Sequence, residues 1–474
     1  MNNKAVIFLK NIWYSIFSNV ITLAISTITI LIFPKLLGVN DYGLLQLYLF
    51  YCAYVGFFHL GLNDGIYLRY GGKHYKELNK KVFFEQYYVL LITQLLFFIV
   101  LWFFAHLFVH DPDKTFVVKM VSISMVLVNL RVMLVYVLQA TNEIKKYALV
   151  MLSDRVSFLF GITFLLIFNN GLYNEIIMMD LAAKLISLLL SIYYCKEIVF
   201  NKSALGWSAF EEAKKNISVG IKLMIANFSN LLIVGNVRFG IEKIWDVSTF
   251  GKISLTLSVS NLLLVFINAV GIVIFPVLKR VPKKELSQLY FTLRTLLSMS
   301  LLGSMILFYP LSFLLLIWLP EYELSIIYMG LLFPIVLFEG KMALLINTYL
   351  KAIRKEKIIL SVNLLLVFLS FITTAIVVYN VQNLTLSILS IVFLLGLRSL
   401  ISEYLLTKIL GIQFLKSVFP EIIMITLFIT LNSIASNSTS FVLYSGFYSL
   451  YLYFFKNEIS MSVRYLTKII KTKN

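Results

Sequence analysis

The chain has 474 residues, 60% of them hydrophobic, 15% aromatic and only 14% charged, with a formal net charge of +18. Soluble domains are roughly a quarter charged and just under half apolar, so this composition excludes a fold surrounded by water and calls for lipid as the solvent. The two cysteines, Cys52 and Cys195, both lie in apolar stretches and supply neither a disulfide framework nor zinc spacing.

A helix that crosses a hydrocarbon core of ~30 Å needs about 20 mostly apolar residues. Runs of that kind lie at 12–33, 44–62, 83–109, 116–138, 148–168, 176–195 and 217–239. They continue at 250–278, 288–317, 324–348, 358–379, 385–406, 420–436 and 440–455. The runs are long and show no period-2 alternation, so they predict helices rather than barrel strands. The first run outlasts the ~7–15 residues of a signal-peptide core, and no small-residue cleavage site follows, so it reads as a retained span. The predicted class is an all-α integral membrane protein of about 14 transmembrane helices.

The connections orient the spans. Loops on one side carry Arg69, Lys73, Lys76, Lys80 and Lys81, then Lys145 and Lys146, then Lys196, Lys202, Lys214 and Lys215. The same side continues with Lys279, Arg280, Lys283 and Lys284, then Lys351, Arg354, Lys355 and Lys357, then Lys408 and Lys416. With both termini it holds 28 lysines and arginines, against 3 (Lys35, Lys114, Lys243) on the other. The positive-inside rule makes the basic side cytoplasmic, with both termini there. Because the cations are spread over every such loop, the net charge reads as orientation and contact with anionic membrane lipid, and no nucleic-acid partner is expected. The tail places Arg464, Lys468 and Lys471 between Leu466, Ile469 and Ile470, the pattern of an amphipathic helix lying on the membrane.

A weak repeat appears at an offset of 208 residues: Asn19 matches Asn227, Ile25 matches Ile233, and Tyr42-Gly43 matches Phe250-Gly251. The offset covers six helices, so both halves enter from the same side and form a parallel pseudo-twofold repeat, with a substrate site expected between them. The predicted divisions are a six-helix bundle over 1–200, a second over 201–410, and helices 13 and 14 with a basic tail over 411–474.

The stretch Leu37-Gly38-Val39-Asn40-Asp41-Tyr42-Gly43, followed by Gly61-Leu62 and Arg69, resembles the first two helices of polysaccharide flippases. These are the O-antigen and capsule repeat-unit exporters of the multidrug/oligosaccharidyl-lipid/polysaccharide (MOP) superfamily. Asn236-Val237-Arg238-Phe239, Thr249-Phe250-Gly251-Lys252-Ile253-Ser254 and Phe275-Pro276-Val277-Leu278 are similar to that family's seventh and eighth helices. Many relatives carry an acid just before the arginine, where this chain has Val237. The resemblance implies a MATE-like fold and export, by alternating access, of an undecaprenyl-pyrophosphate-linked oligosaccharide from the inner membrane of a bacterium. It implies no cofactor, a proton or sodium gradient as the drive, and a polysaccharide polymerase and assembly proteins as partners.

Ten cations fall inside the predicted spans: Lys119, Arg131, Arg155, Lys184, Lys222, Arg238, Lys252, Arg294, Lys341 and Arg398. The acids in or at the edges of spans are Glu85, Asp154, Asp180, Glu339 and Glu403. A charge at mid-bilayer costs roughly 2.5–3.5 kcal/mol on insertion scales, so such residues turn inward or find partners. The surplus of cations suits an anionic cargo, because a buried pyrophosphate needs fixed positive charge. Arg131, Lys222, Arg238, Lys341 and Arg398 are the candidates for a central cationic cavity, with Asn19 and Asn227 as hydrogen-bonding positions or helix braces. Asp154, Arg155 and Glu339 are candidates for coupling or ion pairs. Asp180 and Lys184, four apart on one helix face, read as a structural pair. Lys119, Lys252 and Arg294 lie near span ends and read as snorkelling to headgroups.

No G-x-x-x-x-G-K-[ST] or H-E-x-x-H pattern occurs, and the predicted outer loops are too short for a catalytic domain. The chain therefore reads as a transporter rather than an enzyme. A lipid II flippase or a multidrug exporter of the same superfamily remains an alternative. A membrane-embedded polysaccharide polymerase or glycosyltransferase is the alternative from another class.

Overall fold

A computed structural model describes residues 3–168, 172–201, 207–280, 285–413 and 415–471. Helices account for almost all of them: α1 (Asn3–Cys52), α2 (Leu62–Tyr70), α3 (Lys80–Phe108), α4 (Pro112–Ala140), α5 (Ile144–Phe168), α6 (Tyr173–Tyr194), α7 (Lys196–Val199), α8 (Trp207–Ile244) and α9 (Val247–Arg280). The order continues with α10 (Leu286–Ser304), α11 (Phe308–Trp318), α12 (Glu323–Leu332), α13 (Ile335–Lys341), α14 (Asn347–Ala352), α15 (Glu356–Thr373), α16 (Leu384–Leu410), α17 (Leu415–Ile434), α18 (Asn437–Phe454) and α19 (Lys456–Lys471). Among the described residues nine helices are long and apolar enough to cross a membrane, ten if the bent pair Pro320–Leu332 and Ile335–Ala352 forms one span. The protein is a multi-pass, all-α membrane protein. That measure leaves out α9, α17 and α18, which the sequence reading of about 14 spans includes.

The chain forms two compact units, Met1–Phe228 and Ser229–Asn474, so that α8 begins in the first and ends in the second. In the first unit α4 is the core helix. Two-thirds of its apolar window is buried, against 22% for α3, whose Ile99, Val100, Phe103 and Phe104 are exposed. In the second unit α16 has the matching place, with 56% of its window buried. Core helices give up apolar surface and polar groups alike to neighbours on several sides, so a charge on them has to be met by another helix.

Three breaks among the described residues bear on the site. In α1 the backbone turns at Gly38 (φ 68°, ψ 176°), inside the 37–43 motif, in a conformation that only glycine adopts without strain. The following span breaks again at a 3-10 turn, Val55–His59, then left-handed Leu60 (φ 53°) and Gly61 (φ 82°), before α2 resumes. A break inside a membrane frees backbone carbonyls that lipid cannot satisfy. Asn129 Nδ2 of α4 donates to the Val55 carbonyl at 2.9 Å, and Gln94 Nε2 of α3 donates to the Phe58 carbonyl at 2.9 Å. Asn129 also donates to Gln94 Oε1 at 2.7 Å, and Asn63 Nδ2 donates to the Asn129 carbonyl at 3.0 Å. The third break bends the chain by 45° between α12 and α13 at Pro334, and a π-helical turn, Met342–Ile346, follows.

Span two and α8 meet backbone to backbone. A Cβ on Gly65 would lie 1.9 Å from the Asn216 carbonyl oxygen, and one on Gly220 would lie 2.0 Å from that of Gly61. Beside this contact Arg69 pairs with Glu212 at 2.7 Å and donates to Asn216 Oδ1 at 2.5 Å.

A closed square of charges sits in the second unit. Glu403 of α16 accepts from Arg294 of α10 at 2.6 Å and from Lys341 of α13 at 2.5 Å. Glu421 of α17 faces the same two cations at 2.8 and 2.6 Å, and accepts from Ser298 at 2.5 Å. All four charged side chains are 7% exposed or less. Two corrections follow. Arg294 does not snorkel to headgroups, because two buried carboxylates hold it inside. Lys341 does not face a cavity, since both carboxylates enclose its ammonium. The square also binds α17, expected outside the two bundles, into the second unit. The tail helix α19 packs on α10, with Tyr465 against the buried cluster around Leu286 and Leu289.

Removing one member of a buried charge set strands its partners, at a cost of about 3–5 kcal/mol. Glu421→Gln is therefore expected to lower the thermal denaturation midpoint in detergent by several degrees. Adding Lys341→Met should recover part of the loss, so that the double variant costs less than the two single ones combined.

Candidate functional site

Five lysines and arginines are buried among the described residues: Arg131, Lys184, Arg294, Lys341 and Arg398. Each has a carboxylate within 3.1 Å. The expected surplus of ten cations over five acids therefore does not describe the buried interior. Glu421 is one acid that the count omitted, and the cations not matched in this way (Lys119, Arg155, Lys222, Arg238 and Lys252) are exposed or half-buried. The physical reason is the solvation cost of a buried charge, which is met by a carboxylate where the cation is sealed from water and by water or headgroups where it is not.

In the first unit Arg131, on α4, joins Asp154 of α5 through Nη1 at 2.9 Å and donates to Ser187 Oγ of α6 at 3.2 Å. Asp180 and Lys184 form the expected pair at 2.5 Å. The Tyr48 hydroxyl donates to Asp180 at 2.6 Å, and the Lys184 ammonium donates to Ser124 Oγ at 2.9 Å. These contacts tie α1, α4 and α6 together. Arg155, the neighbour of Asp154, is exposed.

In the second unit Arg398, on α16, donates to Glu339 of α13 through Nη2 at 3.1 Å and through Nη1 to Asn230 of α8. The Arg398 side chain is 3% exposed, whereas that of Glu339 is 24% exposed. Glu339 and Lys341 lie two apart on the bent helix and so face different ways: Lys341 into the sealed square, Glu339 toward the Arg398 pair with its carboxylate part open. Arg238, half-buried on α8, donates to Ser254 Oγ of α9 at 2.8 Å, with its guanidinium 5.0 Å from the centre of the Phe250 ring. The Arg-Phe and Ser residues of the second-half motifs thus meet one another. Lys222 and Asn227 are exposed on α8, and the Asn19 side chain lies outside the described residues.

The structure therefore brings together Arg131 with Asp154 and Arg398 with Glu339, and leaves Arg238, Lys341 and Lys222 in three separate settings. Ser187 and Asn230, which hold the two arginines, are uncharged residues with no local pattern to single them out. Among the described residues no three His, Cys, Asp or Glu side chains converge as metal ligands. Chemically, the Arg131 and Arg398 sites are guanidinium groups fixed by one neutral and one acidic partner. An arginine of this kind binds phosphate bidentately when the phosphate takes the place of the acid.

A profile of the family described as polysaccharide biosynthesis protein matches residues 8–282. The chain belongs to that family. No curated protein sequence matches it. Among solved structures, this family member is similar to one titled lipid II flippase MurJ, inward closed conformation, at 14% identity and a TM-score of 0.62. That likeness covers 95% of this chain and 100% of the other. It is also matched to a MOP superfamily transporter from Pyrococcus furiosus Vc1 at 11% identity and a TM-score of 0.40, covering 85% and 93% of the two chains. The polysaccharide biosynthesis family member thus has the fold of the MurJ structure from end to end, with its charge pairs placed on the core helices α4 and α16.

Arg131→Gln is expected to destabilise the protein by leaving Asp154 unpaired, and Asp154→Asn in the same chain should offset part of that loss. A thermal-unfolding cycle over the four forms should return a coupling on the order of 0.5–3 kcal/mol. A value near zero would show that the pair is not formed.

Proposed function

We infer that the protein is a flippase that carries an undecaprenyl-pyrophosphate-linked oligosaccharide repeat unit across the inner membrane of a bacterium. Its loading side is cytoplasmic, as are both termini in this reading. Three observations support it: membership of a polysaccharide biosynthesis family, a chain built from membrane helices with short connections, and a fold shared end to end with a flippase structure. The geometric observation that carries the reading is the asymmetric pair Arg398–Glu339, in which a buried guanidinium is held by a carboxylate that stays part open.

In this mechanism the pyrophosphate enters from the inner leaflet while the lipid tail remains in the bilayer. Accessible cations such as Lys222 and Arg238 meet it first. Its oxygens then replace Glu339 on Arg398, whose released carboxylate is already part open and can be met by water, so no ion is left both buried and unpaired. Alternating access, driven by a proton or sodium gradient, releases the cargo outside, where a polymerase and assembly proteins receive it. No step breaks or forms a covalent bond. A second reading, lipid II as the cargo, is favoured by the likeness to the MurJ structure. The two cargoes share the phosphate chemistry and differ in the sugar.

A deletion strain is expected to accumulate a lipid-linked saccharide on the cytoplasmic side. Accumulation of a defined repeat unit identifies the first cargo, and accumulation of a cell-wall precursor identifies the second. Single repeat units displayed outside would instead indicate a polymerase. Arg398→Gln, Arg131→Gln and Arg238→Gln should each reduce export at least tenfold at normal protein levels in the membrane. If export survives all three substitutions together, the arginines do not bind the cargo.

A further inference from the structure

The break in span two holds a titratable group that the transport reading does not use. His59 ends the 3-10 turn, is 7% exposed, and accepts a hydrogen bond through Nδ1 from the backbone N–H of Gly61 at 3.0 Å. Its other nitrogen, Nε2, faces Asp64 Oδ2 at 3.6 Å. This geometry fixes the tautomer. Nδ1 serves as an acceptor, so the single proton of the neutral ring sits on Nε2 and points toward Asp64. A second proton could go only to Nδ1, and an imidazolium has no lone pair left to accept from Gly61.

Protonation of His59 therefore costs the Gly61 hydrogen bond and turns the 3.6 Å contact with Asp64 into a full ion pair. Gly61 also lies against the α8 backbone: a Cβ there would lie 2.5 Å from the Ile221 backbone nitrogen. Any rotation of the Gly61 peptide acts directly on that contact. The surroundings leave Asp64 as the charged group facing His59. From α4, Tyr136 lies near Asp64 and Asn129 is neutral, α3 contributes the neutral Gln94, and α8 contributes Gly220, Ile221 and Phe228.

We propose that His59 is a proton-binding switch: uptake of a proton at Nδ1 releases the Gly61 amide and loosens the packing of span two on α8. In a proton-driven flippase such a site would couple proton uptake to movement of the helix. The link to transport rests on the flippase reading, but the switch itself does not.

The test is hydrogen–deuterium exchange of the full-length protein in lipid nanodiscs at pH 7.5 and 4.0, corrected for intrinsic exchange, read on peptides covering 55–66. In the wild type, protection at this segment should fall at least tenfold at the lower pH. His59→Asn retains an acceptor for Gly61 but cannot titrate, so its protection should be the same at both pH values. Asp64→Asn keeps the Gly61 bond but removes the counter-charge, so its loss of protection should require a lower pH than in the wild type. The proposal is overturned if wild-type protection does not change, or if His59→Asn follows the wild type. If His59→Asn does not accumulate, the Asp64→Asn shift decides the matter alone, and an unshifted transition overturns the proposal. Exchange is independent of cargo, so a pH-silent hinge in a protein that still exports would sink the switch and leave the flippase reading standing.

Discussion

Charge balance inside a low-dielectric bundle is the constraint on which the rest of this structure depends. A lone ammonium or guanidinium in hydrocarbon is unstable, and removing it from water costs several kcal/mol even after relaxation. Each buried lysine or arginine among the described residues is accordingly held by a carboxylate on another helix or one turn away. The charges thereby act as bolts between helices. Arg131 ties α4 to α5 and α6, Arg398 ties α16 to α13 and α8, and the Arg294–Glu403–Lys341–Glu421 square ties four helices of the second unit together. A closed square with almost no exposure has a structural role. A pair with one part-open member can exchange partners, and that distinction separates Lys341 from Arg398.

The helix breaks obey a related rule for the backbone. The interruption in span two exposes carbonyls that need donors, and amide side chains supply them: Asn129 of the core helix α4 for Val55 and Gln94 of α3 for Phe58. The glycines at 61, 65 and 220 let two backbones touch there, which makes the packing sensitive to sub-ångström shifts.

Much of this was legible in the sequence. Hydropathy alone marks the membrane class, because a 20-residue apolar run has few other uses. The Asp180–Lys184 spacing fixes its pair, since both ends belong to one helix. The 37–43 motif marks a real feature, the Gly38 turn, and Phe250 and Ser254 do meet Arg238. Partnerships between distant residues were not legible. Arg294 near a span end is the pattern of a snorkelling side chain, and nothing local announces that Glu403 and Glu421 converge on it. Counting charges along the chain likewise overstated the cationic interior, because neutralisation is decided by helix packing and not by position in the sequence. Ser187 and Asn230 carry no signal at all until a neighbouring arginine is placed against them.

The proposed function is one act, the movement of a pyrophosphate-linked lipid from one leaflet to the other. Proteoliposomes containing the full chain and a fluorescent undecaprenyl-pyrophosphate-linked oligosaccharide in both leaflets measure it directly. Quenching from outside with a membrane-impermeant reductant should consume only the outer half of the label in empty vesicles. With the protein present and a proton or sodium gradient applied, quenching should approach completion, and Arg398→Gln should return it to one half. Quenching that stops at one half for the wild type under both gradients would contradict the account.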